Sequence, residues 1–355
     1  MNPRLLLATI VSALGCAAVG AATYPTNPGA PVPNRWMLAY PGDSGRRAYS
    51  VDDFLRLVAA VDTNGHPVSW LSNGVLFATI RTLTGHHYAS WLGEPYATGA
   101  DWEGYINSLF GAQGSLARLD SAVTLAAGTL GPVPGRFKVA VVVLYPEEKS
   151  DSMTFMGTTY HFKDAAGRAA ATRAYINDVS ARFDSAHFQS VHLTAFYWLH
   201  ESIHGDEEQV VPLVAQTVHA AKKRFMWVPY FTAWGVPNWR KFGFDETWIQ
   251  PNYFFNLDLQ RGRLDSAVAK ARDLDMGLEM EFDGRSYAKP EYFDRLDAYL
   301  TTLNAAGDLK RRDVLTYEGG GALITLSKSK VPRERDLYRR FVATIGYGPP
   351  SSVSQ

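Results

Sequence analysis

Val139-Ala140-Val141-Val142-Val143-Leu144 is six apolar residues in a row, four of them valine. An unbroken apolar run of this length, rich in β-branched residues, suits a strand covered on both faces, as in a parallel sheet flanked by helices. Working outward, the run extends to Phe137, and an Ala-rich helical stretch follows from Ala165 to Phe183. The same alternation recurs along the chain. Strand-like runs are predicted at Arg35 to Tyr40, Val75 to Ile80, Phe137 to Leu144, His192 to Leu199, Phe225 to Tyr230, Glu246 to Gln250, Gly277 to Phe282 and Asp313 to Tyr317. Helical stretches alternate with them: Val51 to Val61 opened by Ser50, Asp101 to about Ala127 with a break near Gly111 to Gly114, Asp206 to Lys223, Pro237 to Phe242, Leu264 to Leu274, Pro290 to Asn304 and Arg333 to Ile345. Eight strand–helix pairs read as a single α/β domain, a (β/α)8 TIM-type barrel over 35–348, with a short tail at 349–355. A doubly wound open sheet uses the same alternation. It is disfavoured because no Gly-rich dinucleotide fingerprint follows the first strand.

Composition agrees with one large core. Of 355 residues, 46% are hydrophobic and 20% charged, which excludes a disordered or fibrous chain. Lys+Arg and Asp+Glu balance at 35 each, so nothing points to a nucleic-acid partner. The single cysteine, Cys16, lies in a leader-like segment: basic Met1 to Arg4, apolar Leu5 to Val19, then small Gly20-Ala21-Ala22. This predicts a signal peptide over 1–22, a flexible lead-in over 23–34, and a secreted or periplasmic protein. Ala13-Leu14-Gly15-Cys16 loosely resembles a lipoprotein box with its leucine one place off, which leaves a lipid anchor at Cys16 as the less favoured outcome. No later stretch has the length and apolarity of a membrane span.

In such a barrel the chemistry sits where the strands end. Those ends carry Tyr40 and Asp43; His86, His87 and Trp91; Tyr145, Glu147 and Glu148; Tyr197, Trp198, His200 and Glu201; Tyr230 and Trp234; Gln250, Asn252 and Tyr253; Glu279, Glu281 and Asp283; Tyr317 and Glu318. A rim of aromatics and carboxylates, nearly free of lysine, suits a sugar: ring faces stack on pyranose faces, and carboxylates and amides bond hydroxyls. A phosphate site would need Gly-rich loops and basic residues. Tyr40, Asp43, Tyr145, Glu147, Tyr197, Trp198, His200, Tyr230, Trp234, Gln250, Asn252, Tyr253, Asp283, Tyr317 and Glu318 are therefore candidate substrate contacts.

The sharpest signal is Gly277 to Phe282. Leu278, Met280 and Phe282 share one parity, which predicts that they face the helices; Glu279 and Glu281 share the other and face the axis. Two carboxylates aimed into a barrel mouth are costly unless paired or needed. The structural alternative is an ion-pair network with barrel Arg or Lys. Glycoside cleavage needs two carboxyls astride one bond. Glu201 ending strand four and Glu281 ending strand seven resemble the large barrel superfamily of retaining glycosidases. That resemblance implies Glu201 as acid/base and Glu281 as nucleophile, with Glu279 as the other candidate nucleophile. The superfamily usually places Asn before the strand-four Glu, where this chain has His200, so the assignment follows strand position rather than motif.

The chain also resembles a bacterial family known as domain of unknown function 4855. The resemblance rests on Phe196-Tyr197-Trp198-Leu199-His200-Glu201, Trp227-Val228-Pro229-Tyr230-Phe231, Gly243-Phe244-Asp245, Gln250-Pro251-Asn252-Tyr253-Phe254 and Glu279-Met280-Glu281-Phe282-Asp283. It implies a glycosidase-like barrel and names no substrate. Taken together, the expectation is a glycoside hydrolase acting on a polysaccharide or oligosaccharide, with no metal and no organic cofactor. Two alternatives stand beside it. One is a non-catalytic carbohydrate-binding barrel. The other, less favoured, is a zinc peptidase, because His200-Glu201-Ser202-Ile203-His204 matches the H-E-x-x-H pattern, though it follows a strand-like run and meets Gly205 at once.

Overall fold

The computed structural model describes residues 32–307 and 312–347. The signal-peptide segment 1–22, Cys16, most of the lead-in 23–34 and the tail 349–355 lie outside the described residues. In chain order the elements begin β1 (Arg35–Ala39), α1 (Val51–Val58), β2 (Ala59–Val61), β3 (Pro67–Trp70), β4 (Gly74–Phe77), α2 (Gly99–Leu109), α3 (Ser115–Leu130) and β5 (Lys138–Val143). They continue β6 (Ser152–Phe155), β7 (Thr158–His161), α4 (Ala165–Ala186), β8 (His192–Trp198), α5 (Glu207–Ala220), β9 (Arg224–Trp227) and β10 (Glu246–Ile249). The last are α6 (Gly262–Asp273), β11 (Gly277–Glu281), α7 (Arg285–Ala288), α8 (Pro290–Ala305), β12 (Val314–Tyr317), α9 (Ala322–Lys328) and α10 (Pro332–Ile345).

Strands β1, β12, β11, β10, β9, β8, β5 and β4 pair in that order, all parallel, and β4 returns to β1 to close the barrel. Each strand expected from sequence is one of these eight. The expected helix Val51 to Val61 stops at Val58, because Ala59–Val61 turns into an antiparallel ribbon with β3. The turn is built by Asp62, whose Oδ1 accepts the amides of Asn64 and His66, and by Gly65 at φ +89°. Its N-terminus is as expected: Ser50 Oγ accepts the Asp53 amide at 3.1 Å, and Asp53 returns the contact to the Ser50 amide at 3.0 Å. A second ribbon, β6–β7, follows β5 and was not expected from sequence.

The lower half of the barrel interior is filled by indoles. Trp36 and Trp248 meet edge to face at 6.5 Å, and both are buried. They fit because glycine stands where a side chain would collide. A Cβ on Gly74 would come within 2.6 Å of the Trp36 ring, and one on Gly277 within 2.3 Å of the Trp248 ring. Gly277 keeps an ordinary backbone conformation; what it provides is room. With the floor sealed, the open space of the barrel lies at the strands' C-terminal ends. Among the described residues, no helix is long and apolar enough to cross a membrane.

Candidate active site

Strand alternation decides which side chains reach the axis. From β8 and its continuation, Tyr197, Leu199 and Glu201 face inward. From β11, Glu279 and Glu281 do so, from β12 Tyr317, and from the end of β10 Gln250 and Asn252. With Leu38, Tyr40, Arg46, Ala78, Ile80, Trp91, Val228 and Phe255 they line a cavity of about 240 Å³ at the C-terminal mouth. Larger concavities exist: one of about 510 Å³ between α4 and α5 has no carboxylate in its lining, and one of about 380 Å³ at the N-terminal mouth sets Asp245, Glu246, Asp275 and Asp313 among Arg224, Arg240 and Arg312.

Three carboxylates share this cavity, and none of them forms an ion pair among the described residues. The one basic residue lining it, Arg46, is engaged elsewhere. Its guanidinium lies 4.3 Å from the Tyr40 ring centroid, donates to Tyr317 Oη at 3.1 Å and stands 3.9 Å from Asp43. The ion-pair network that would have made these acids structural is therefore not built.

The surroundings push the three groups differently. Burial raises the Glu201 carboxyl to about 7, against a pull downward from the Gln250 amide and His200. Burial also raises Glu281 to about 7, with the charge of Glu201 adding to it; Tyr299 and the backbone amides of Asn252 and Tyr253 oppose the rise. Tyr299 Oη donates to Glu281 Oε2 at 2.7 Å from the buried face of α8. Glu279 is raised well above the usual carboxylate range by burial, then by Glu281 and Glu201, and nothing pulls it back down. Like charges held together cannot all ionise. The donor set makes Glu281 the member best equipped to carry the charge and Glu279 the one that holds its proton.

The amides around Glu281 are themselves fixed. Asn252 takes the left-handed conformation at φ +54°, a geometry asparagine tolerates. Its Oδ1 accepts the Phe231 amide at 2.8 Å, and its Nδ2 donates to Gln250 Oε1 at 3.3 Å. Gln250 Nε2 in turn donates to the Val228 carbonyl at 2.8 Å. This chain of bonds links the ends of β9 and β10 beneath the carboxylates.

A family model described as domain of unknown function DUF4855 matches residues 35–343. The chain belongs to the DUF4855 family. A search of the curated proteins found no match. Solved structures similar to this DUF4855 chain include an intracellular xylanase from Thermoanaerobacterium saccharolyticum, at 7% identity and TM-score 0.41, covering 81% of this chain and 86% of that one. Another, ZgEngAGH5_4, is 11% identical with TM-score 0.47, covering 86% and 95%. An α-amylase from Malbranchea cinnamomea is 12% identical with TM-score 0.47, covering 87% and 76%.

Several residues expected at the substrate prove to hold the DUF4855 barrel together instead. Trp198 is 0% exposed, because its parity is opposite to Tyr197; it packs edge to face on Phe225 and Tyr145. Asp43 is buried beneath the rim, where its Oδ2 accepts the amides of Ile80 at 2.6 Å and Arg81 at 3.1 Å, tying the loop after β1 to the loop after β4. Glu318 caps α9, accepting the amides of Gly321 at 2.8 Å and Leu323 at 2.9 Å. Asp283 pairs with Arg285 and accepts its amide. Tyr253 lies behind Glu281, its ring 3.9 Å from the Arg295 guanidinium carbon. Tyr230 does not line the cavity; its backbone bridges to Gln250. Trp234, 73% exposed, stands on the outer loop.

Tyr145, Glu147 and His200 form a separate group beside the cavity. His200 Nδ1 lies 2.7 Å from Glu207 Oε2, and the ring meets Tyr145 at 5.0 Å. The segment from His200 to His204 is not helical, so the two histidines do not share a helix face one turn apart, and the peptidase geometry is absent. His86 pairs with Asp101 at 2.7 Å and His87 with the Gly93 carbonyl at 2.8 Å, both within the loop after β4. Among the described residues no group of three His, Cys, Asp or Glu side chains is arranged to hold a metal ion. Arg46, Phe255 and Tyr299 were not among the expected contacts.

Proposed function

We propose that this protein is a glycoside hydrolase acting on a polysaccharide or oligosaccharide by a retaining mechanism. The observation that carries the reading is the set of three inward carboxylates, unpaired with any cation, in an open cavity walled by Tyr40, Tyr197, Trp91, Phe255 and Tyr317. Clustered acids without a counter-charge are costly, and a fold retains them at a site that uses them.

Glu201 serves as the acid. Its carboxyl, pushed up to about 7 by burial, still holds its proton near neutrality. It gives that proton to the glycosidic oxygen as the bond to the anomeric carbon breaks. Glu281, favoured in its ionised form by Tyr299 and two backbone amides, attacks the same carbon from the other face and forms a glycosyl ester. Glu201, now a carboxylate, takes a proton from water; the hydroxide attacks the anomeric carbon and releases Glu281. The products are a sugar hemiacetal and a free alcohol end, and both carboxyls return to their starting states. Glu279 stays protonated beside Glu281, which limits the charge in the cavity. It is the weaker candidate for nucleophile.

The sequence supports a secreted or periplasmic location: a basic start, an apolar run from Leu5 to Val19 and small residues to Ala22. The aromatic walls of the cavity would also serve a non-catalytic carbohydrate binder, and one experiment separates the two. The protein is incubated with plant, algal and bacterial polysaccharides while new reducing ends are counted, and the anomer first released is followed by proton NMR. Release with retained configuration, lost in Glu201→Gln and Glu281→Gln, is the expected result. Binding without new reducing ends would favour the binder, and inverted product would remove Glu281 as nucleophile.

A further inference from the structure

His200 is the centre of a second cluster at the mouth. Its parity is opposite to Glu201, so its ring leaves the axis and lies between the ends of β5 and β8. Glu207, buried at the start of α5, holds Nδ1 through both carboxylate oxygens at 2.7 and 2.8 Å. The Trp91 indole lies nearly parallel to the imidazole, centroids 6.0 Å apart and planes at 16°. Tyr145 meets the ring at 45° and His204 at 69°.

Trp91 itself is set by a well-bonded loop. The Tyr88 amide donates to the Ile80 carbonyl, His87 bridges to Arg81 and Tyr96, and the Leu92 amide donates to the Ala89 carbonyl. Trp91 remains 48% exposed and borders the same cavity as Glu201. His200 lies against the indole in an offset arrangement, and the rest of the side chain is open enough to line the cavity. A rigid, half-open indole beside a proton donor is suited to the apolar face of a pyranose.

We infer that Trp91, seated on His200 and through it on Glu207, is the platform for the sugar ring on the leaving-group side of Glu201. The inference rests on Glu201 being the acid. It implies that the substrate continues past the cleaved bond, as an oligosaccharide or polysaccharide does and a glycoside with a small aglycone does not. His200 and Glu207 are positioning residues. The acids acting on the imidazole are Glu207, then Glu201 and Glu147; together they outweigh burial and raise its pKa, and an imidazolium beneath an indole is attracted to the ring face.

Two measurements test this. An array of plant, algal and bacterial oligosaccharides of several rings is probed with Glu281→Gln and with Glu281→Gln/Trp91→Ala. Loss of one stacked ring is expected to weaken binding about tenfold or more. Equal binding by both variants would overturn the platform and leave the hydrolase reading standing. No binding by Glu281→Gln to any oligosaccharide would overturn both. The second measurement needs no sugar. The fluorescence of wild type minus that of Trp91→Phe is titrated with pH, and should report the His200 step. Glu207→Gln should move that step to lower pH, because Glu207 favours the cation; a step that stays in place would overturn the positioning role.

Discussion

The acids of the C-terminal cavity and those at the N-terminal mouth of the barrel are held in different ways. At the N-terminal mouth, acids meet partners. Glu246 pairs with Arg224 at 2.6 Å, Asp275 pairs with Arg240 and Arg312, and Asp313 accepts the Asn34 amide at 2.6 Å. Asp245 accepts the Phe225 amide at 2.7 Å and faces His219 at 2.9 Å. At the C-terminal mouth, Glu201, Glu279 and Glu281 crowd one cavity without a cation. Burial raises Glu246 to about 7, just as it raises Glu201 and Glu281. A shifted pKa therefore does not by itself mark an active site. The absence of an ion partner, the open space and the aromatic walls separate the candidate catalytic acids from Glu246.

Neutralising one acid at each mouth should give the largest difference. Glu201→Gln should lower turnover about 10²–10⁴-fold, the usual share of a general acid. Glu281→Gln should lose at least as much, since no ester can form. Glu246→Gln should leave turnover unchanged, because its carboxylate faces Arg224 and not the cavity. Reducing-end release on one polysaccharide measures all three. A large loss in Glu246→Gln with normal stability would erase the distinction.

The floor between the mouths gives the next largest effect. Gly277→Ala would bring a Cβ within 2.3 Å of the Trp248 ring and 2.6 Å of the Asp313 carbonyl oxygen. Overpacking of this kind is expected to cost about 3 kcal/mol, read as a lower denaturant midpoint. Gly262→Ala, on α6 where a Cβ meets nothing within 4 Å, should be neutral or slightly stabilising and serves as the control.

Much of this was legible in the sequence. Strands buried on both faces read as apolar runs, so all eight could be placed, and period-two alternation put Glu279 and Glu281 on the axis. The misplaced contacts have physical reasons. Trp198 sits in an unbroken aromatic run, where chemistry alone does not reveal parity; counting back from Glu201 in steps of two selects Leu199 and Tyr197 instead. Asp43 and Glu318 follow strands, as site acids do, yet their nearest donors are backbone amides, and the Gly319-Gly320-Gly321 run after Glu318 is a capping signal. Tyr299 reads as one more buried residue of an amphipathic helix, and only the packing of α8 on β11 brings its hydroxyl to Glu281. The β6–β7 ribbon turns at Met156-Gly157, both at positive φ, and methionine disguises a turn that Asn-Gly would have announced.

The unpaired carboxyls of the cavity should also set how stability depends on pH. Glu201 and Glu281 have folded-state values near 7 against an ordinary 4.5, and Glu279 is raised as well. A carboxyl raised on folding binds more protons in the native state, so its contribution is fully present below about 4.5 and is lost as pH rises through 7. Glu246 and Glu318 add to the same slope. The melting temperature is expected to fall between pH 5 and pH 8, by about 2–4 °C for each kcal/mol lost. Glu279→Gln, which removes one raised group, should flatten that slope and be the more stable protein at pH 8. An unchanged slope would mean that Glu279 ionises freely.

The smallest expected effect sharpens the assignment within the mouth. Tyr299 favours the ionised Glu281, so Tyr299→Phe should raise that carboxyl by about one pH unit, above Glu201, which Tyr299 does not touch. Both carboxyls start near 7, so the productive pair, Glu281 ionised with Glu201 protonated, becomes scarcer, and peak turnover should fall about fourfold. A rise in peak turnover would instead exchange the roles of the two carboxyls, with Glu281 the proton donor and Glu201 the group that must be ionised.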